Sequence, residues 1–173
     1  DLLLAVAERA AWQRQLTPAS WLEVGRDEGL EACQAVEQRG LQALKIVLNG
    51  SRNLLDIALN HLTLGRVALF RAVLDSSVGG DRQAAIAQAT KELTAAVDSL
   101  RASGRQEYVP FGLLSRAWLH AIKGDTTSAR ADLDEAWQIA SRGGMRLHMA
   151  DIHLHRARLF RDRAELQKAR VLI

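Results

Sequence analysis

A chain of 173 residues with 48% apolar and 25% charged content has the composition of a folded domain rather than of a disordered tail. Only two prolines occur, and Ala, Leu, Arg, Gln and Glu dominate, which biases the chain towards helix. The net charge of +3 conceals an asymmetry: residues 1–60 carry 6 basic and 8 acidic groups, 61–140 carry 9 of each, and 141–173 carry 8 basic against 3 acidic. That basic end could attract nucleic acid or an acidic partner. Its Arg residues are spaced along helices without the interleaved aromatics on which bases stack, so a solvated surface is the expectation.

A single cysteine, Cys33, excludes an internal disulfide and fits a reducing compartment; in LEACQAV it reads as a buried small hydrophobe. No signal peptide is visible, and the longest apolar run, Leu2 to Ala7, is too short to cross a bilayer. A cytoplasmic location without membrane contact is therefore expected. The start at Asp1 without Met and the stop inside a helix-like stretch at Ile173 suggest a piece of a longer chain.

Taken in order, residues 1–16 show helical spacing, with Leu4, Ala7 and Ala11 on one face. Thr17-Pro18 reads as an N-cap with proline at the first helical position, opening a short turn through Val24. A longer helix is expected from about Asp27 to Leu48, turning Leu30, Cys33, Val36, Leu41, Leu44 and Val47 inward, with Gly40 either weakening it or marking a close-packing point. Asn49-Gly50-Ser51 breaks it, and Ser51 is placed to cap a helix from about Arg52 to Asp75. A loop over Ser76 to Asp81, containing Gly79-Gly80, precedes a helix that ends at Gly104. Pro110 opens the next helix and Gly124 closes it, while Asp125 caps a helix from Thr126 to about Arg142. After Gly143-Gly144 a helix from Arg146 to Arg161 is followed by one from about Ala164, with Asp162 and Glu165 as a capping-box variant. No segment alternates with period two, so no strands are expected.

A repeat runs through these elements. Ala89, Leu93 and Ala96 recur 40 residues later as Ala129, Leu133 and Ala136, and again in part as Ala169 and Ile173. Arg116-Ala117 recurs as Arg156-Ala157, and aligning His61-Leu62 with His153-Leu154 places Gly65 over Ala117 and Ala157. Such a period marks a stack of helical hairpins, with small residues where helix axes approach. Four hairpins are expected, at about 1–48, 52–103, 110–142 and 146–173, within one domain.

The order Ala117, Gly124, Ala129, Leu133, Ala136 resembles a tetratricopeptide repeat, best over 110–173, fairly over 52–103 and poorly over 1–48. The period of 40 departs from the family's roughly 34, and the usual Pro after each second helix is missing. HEAT-type repeats would suit the period, but the Gly turn and the Ala spacing favour the first family. More narrowly, DIALNHLTLGRVAL, EYVPFGLLSRAWL and GGMRLHMADIHLHRARLF resemble the C-terminal helical-repeat region of multidomain bacterial signalling ATPases and effector proteins. The resemblance implies an all-α superhelix of antiparallel helix pairs, acting as a sensor or scaffold. It also implies that the first helix of each pair lines the inner surface, where Leu62, Arg66, Phe70, Leu114, Trp118, Leu154, Arg158 and Arg161 would form a groove.

The chemistry-bearing motifs are sparse. Phosphate-binding loops, GxSxG elbows and supported Cys-His pairs are absent, so no cofactor and no enzymatic activity are expected. His148, Asp151 and His155 lie at i, i+3 and i+7 on one helical face and could hold a metal; an ordinary polar surface is the alternative. His153 is expected in the core or an interface, and Asp132, Asp134 and Glu135 on a solvated face. The expected partner is a protein or peptide in the groove, whose loss in Trp118→Ala or Arg158→Ala would leave the melting temperature nearly unchanged. Two other readings stand beside it: an autoinhibitory module packed on upstream ATPase or effector domains, and nucleic-acid binding through the basic C-terminal hairpin. A homo-oligomer, covering Trp118 and Phe111 with a second copy, is left open.

Overall fold

Every described residue in a regular element is helical. The computed structural model describes residues 2–17, 25–75 and 80–173, and among these no strand occurs. The Thr17-Pro18 cap with its turn through Val24, the placing of Trp21, and the loop over 76–79 lie outside the described residues. The helices are α1 (Leu2–Leu16), α2 (Arg26–Asn49), α3 (Leu54–Leu74), α4 (Gly80–Ala102), α5 (Val109–Ile122), α6 (Thr126–Arg142), α7 (Arg146–Phe160) and α8 (Arg163–Leu172), with a 3-10 turn at Gln106–Tyr108. The chain divides into two units, Asp1–Ser99 and Leu100–Ile173.

In the first unit, α2 runs against both α1 and α3, and α1 also touches α3. The α2–α3 crossing is close because two glycines allow it. A Cβ on Gly29 would stand 2.9 Å from Ala10 Cβ and 3.0 Å from Leu74 Cδ1, and one on Gly40 would stand 3.0 Å from Leu64 Cδ2. Gly40 is thus a packing point, and the helix continues through it. Cys33 and Val36 are buried as the stripe predicts, but Leu41 is exposed, since it lies off the face that meets α3. The cap of α3 is Asn53 and not Ser51: Asn53 Oδ1 accepts from the backbone N–H of Leu55 (2.9 Å) and Asp56 (3.4 Å). Two residues beyond Ser51, Asn53 has the extended backbone a cap requires.

Helix α3 is the core of this unit, burying ten of its residues, among them Leu62, Leu69, Phe70 and Leu74. By length and composition it could cross a membrane, yet over half of its most apolar window is buried within the protein, which accounts for its hydropathy as a core helix. It meets α4 through Gly65, where a Cβ would lie 2.7 Å from Leu93 Cγ and 3.0 Å from the Leu93 backbone nitrogen. Ala89, Leu93 and Ala96 are all fully buried along α4.

The second unit repeats the plan with shorter links. α5 packs on α6, α7 on α8, α6 on α7, and α5 also meets α7. Pro110 opens α5, and Gly124 turns the chain at φ 82°. Asp125 then caps α6 by accepting from the Ser128 N–H at 3.0 Å. Gly144 (φ 64°) repeats that left-handed turn before α7. Ala129, Leu133, Ala136 and Ala140 form the buried stripe of α6, and Ala169 is buried on α8. Ile173, its expected companion, follows the last helical turn and is exposed. Asp162 Oδ1 caps α8 through Ala164 and Glu165 N–H, but the Glu165 side chain does not close a capping box; it reaches α7 instead.

Candidate binding groove

In the first unit, α2 and α4 form two walls with α3 between them, enclosing a groove of about 1020 Å³. Leu30 from α2, Ala68 from α3, and Ala84 and Ala85 from α4 give it an apolar lining that is mostly alanine. Asp27, Glu31, Gln34 and Glu37 follow at i, i+4, i+7 and i+10 along α2, the spacing that places side chains on one helical face. Asp75 at the C-cap of α3, and Asp81 and Gln88 on α4, complete the polar rim. Two guanidiniums border it. Arg26 Nε donates to the Leu74 carbonyl at 3.2 Å, and Arg71 Nη1 donates to Glu37 Oε2 at 2.8 Å.

The residues named from sequence have different places. Leu62, Phe70, Leu114 and Trp118 are buried, the aromatics Phe70 and Trp118 at 1% and 2% exposure, and so present no surface to a ligand. The physical reason is local: all four belong to the broad apolar faces of α3 and α5, which bury ten and nine residues respectively. Arg66 is ion-paired with Glu8 on α1, and its guanidinium lies 5.7 Å from the Phe70 ring centroid. Leu154 and Arg158 on α7 are partly exposed, and Arg161 is the exposed left-handed C-cap of that helix. The eight residues divide between the two units, three on α3 and five on α5 and α7 with its cap. Sequence reasoning missed the α2–α4 groove because its signal is a row of acidic and amide groups on a helix, which ordinarily reads as solvated surface.

His148, Asp151 and His155 are not gathered into a metal site; among the described residues no group of three such side chains could hold an ion. The His148 ring packs on Phe111 with centroids 4.7 Å apart, while His155 Nδ1 bonds to the Asp151 carbonyl at 2.9 Å. Phe111 itself is exposed. Trp137 lies beside His153, with ring centroids 4.7 Å apart.

Of the acidic group expected on a solvated face, Asp134 and Glu135 do reach solvent and Asp132 does not. Asp132 is 6% exposed and takes both nitrogens of Arg116, at 2.8 Å from Nε and 2.7 Å from Nη2. It lies next to Leu133 on the inner stripe, so the solvated face begins only at Asp134, which pairs with Arg156 at 2.6 Å. Glu135 binds Arg101 through both its oxygens at 2.8 Å. His120 Nε2 stands 3.8 Å from Asp132, and burial pushes its imidazolium below the ordinary value in spite of Asp132 and Asp125 nearby. The bidentate bond fixes Asp132 as an acceptor for Arg116, a structural use of the carboxylate. Burial likewise pushes the Cys33 thiol up to about 12, with the Arg71 charge opposing. Compared with protein-family models, with curated proteins and with solved structures, the chain matches none.

Proposed function

We propose that the chain is a non-enzymatic scaffold whose helix pairs stack as a tetratricopeptide-like superhelix, and that it holds a protein or peptide segment in the α2–α3–α4 groove. The observation that supports this reading is the groove itself. At about 1020 Å³ it stands at the upper end of the roughly 300–1,000 Å³ common for ligand pockets, and its walls are two long helices held by close glycine contacts. Rigid walls spare a ligand the cost of ordering its receptor. Gln34 supplies a side-chain amide that both donates and accepts, which suits a polypeptide backbone.

A groove-filling variant tests the reading. Ala84 is exposed on α4, so Ala84→Trp should fill the lining while leaving the helix folded. Fluorescein-labelled dodecapeptide pools should bind the 173-residue chain and lose that binding in Ala84→Trp, with circular dichroism unchanged. Binding that ignores the tryptophan removes the groove from the proposal.

A second reading, packing against other domains of a parent protein, draws support from exposed apolar side chains about the α2–α3 link: Leu41, Ile46, Leu48 and Leu54. Changing Ile46 and Leu48 to Ser would then weaken association with such domains without touching the peptide titration.

A further inference from the structure

We infer that the segment held in the α2–α3–α4 groove is an extended stretch bearing Lys or Arg side chains. The inference rests on the peptide-binding reading above and deepens it. Five carboxylates line the groove against two guanidiniums. Both guanidiniums already have partners in the fold: Arg26 is turned to the Leu74 carbonyl and Arg71 to Glu37. Among the described residues no ion pair engages Asp27, Glu31 or Asp81, and all three line the groove as exposed residues. Asp27 and Asp81 stand in the first turns of α2 and α4, where they also offset the helix dipoles. Glu31 lies a turn further in and has no such local duty.

The occupant's form follows from length and floor. The wall from Arg26 to Glu37 advances eleven residues, about 17 Å at ~1.5 Å per residue. That accommodates roughly five residues of extended chain at ~3.3 Å each. Alanines at 68, 84 and 85 let a backbone approach closely, whereas a helical ligand would need deep apolar pockets for its anchors. Carboxylates spaced along the wall then meet alternate cationic side chains. Acidic rim charges of this kind raise the encounter rate with a cationic partner and make binding salt-sensitive.

Three dodecapeptide pools of equal apolar content test this: one enriched in Lys and Arg, one in Asp and Glu, one uncharged. Each is titrated by fluorescence anisotropy into the full chain, into Ala84→Trp, and into the double variant Glu31→Lys with Asp81→Lys. The basic pool is expected to bind about tenfold more tightly than the uncharged pool, with the difference shrinking as salt is raised. The double variant should erase that preference, and Ala84→Trp should abolish binding of both. Equal affinity for the basic and uncharged pools, with Ala84→Trp still blocking, overturns the cationic ligand while the groove stands. Insensitivity of every pool to Ala84→Trp overturns the groove reading itself. Preference for the acidic pool overturns the inference and directs attention to the basic α7–α8 hairpin.

Discussion

His153 Nδ1 lies 2.6 Å from Glu165 Oε2, and the same contact at the same distance joins His61 to Glu92 in the other unit. In each case the histidine is on the first helix of a hairpin and the glutamate on the second, so the bond latches the pair. The α7–α8 latch is part of a larger cluster: Lys168 Nζ reaches Glu165 Oε1 at 2.6 Å, Arg156 stands 3.9 Å away, and Trp137 backs the imidazole from α6. Arg156 also holds Asp134 of α6. Because Ala169 is the only buried residue of α8, polar contacts have an unusually large share in holding that helix.

Burial pushes the Glu165 carboxyl up, but hydrogen bonds from Lys168 and His153, with their charges, outweigh it and hold the group below its usual value. A carboxylate depressed in the fold contributes stability above its unfolded pKa of about 4.3, and that contribution is lost as pH falls through the lower folded value. Glu165→Gln should therefore destabilise the α7–α8 hairpin by about 1–3 kcal/mol near neutrality. The gap from the wild type should close below about pH 4. Hydrogen exchange of α8 amides across pH reads this directly; a gap independent of pH would separate Glu165 from the acid response.

Trp118 is fully enclosed on α5, between Ala117 and Leu119, which are equally buried. Trp118→Ala should cost about 3–5 kcal/mol and lower the melting temperature markedly. A melting temperature within a degree or so of the wild type, read by circular dichroism, would show that the indole is not part of the core.

Two glycines on neighbouring helices should respond unequally to the same change. Adding a methyl at Gly65 drives it against Leu93 Cγ and the Leu93 backbone, which cannot turn aside. Overpacking of this kind costs about 1–3 kcal/mol, more than the ~1 kcal/mol that Ala gains over Gly in a helix. At Gly40 the close atoms belong to the end of the Leu64 side chain, which can rotate. Gly65→Ala is expected to lower the melting point, and Gly40→Ala to leave it near the wild type. Equal losses would mean that Leu64 is as fixed as the α4 backbone.

With its thiol raised to about 12, Cys33 is expected to resist alkylation by iodoacetamide at pH 8 in the folded chain. Modification should appear only when denaturant opens α2, which makes the cysteine a reporter of that unit's unfolding. Rapid labelling without denaturant would mean that α2 opens readily under native conditions.

Much of the architecture could be read from the residues alone, because each helix carries its own punctuation. Gly104, Gly124 and Gly144 do take left-handed backbone, Asp125 and Asp162 do cap, and the Ala-Leu-Ala stripes of α4 and α6 are buried to the last atom. The candidate groove was less legible. The family resemblance put Phe70 and Trp118 on a ligand-lining inner surface, but the features that make a residue a good anchor also make it good core. Asp132 shows the converse: a charge on the inner stripe looks solvated until the position of Arg116 across the turn is known. The Gln34 and Glu31 wall depends on how α4 lies against α3, a relation that no local pattern encodes.

The brief turns at Gly124 and Gly144 have a kinetic implication. They keep nearly every partner in the second unit within a few dozen positions along the chain: Arg116 finds Asp132 sixteen residues on, and His153 finds Glu165 after twelve. Low contact order of this sort places folding in the microsecond to millisecond range, with little entropy lost to loop closure. Each hairpin can then serve as a template on which its successor assembles, so the unit should form by growth from one pair rather than by a search over the whole chain.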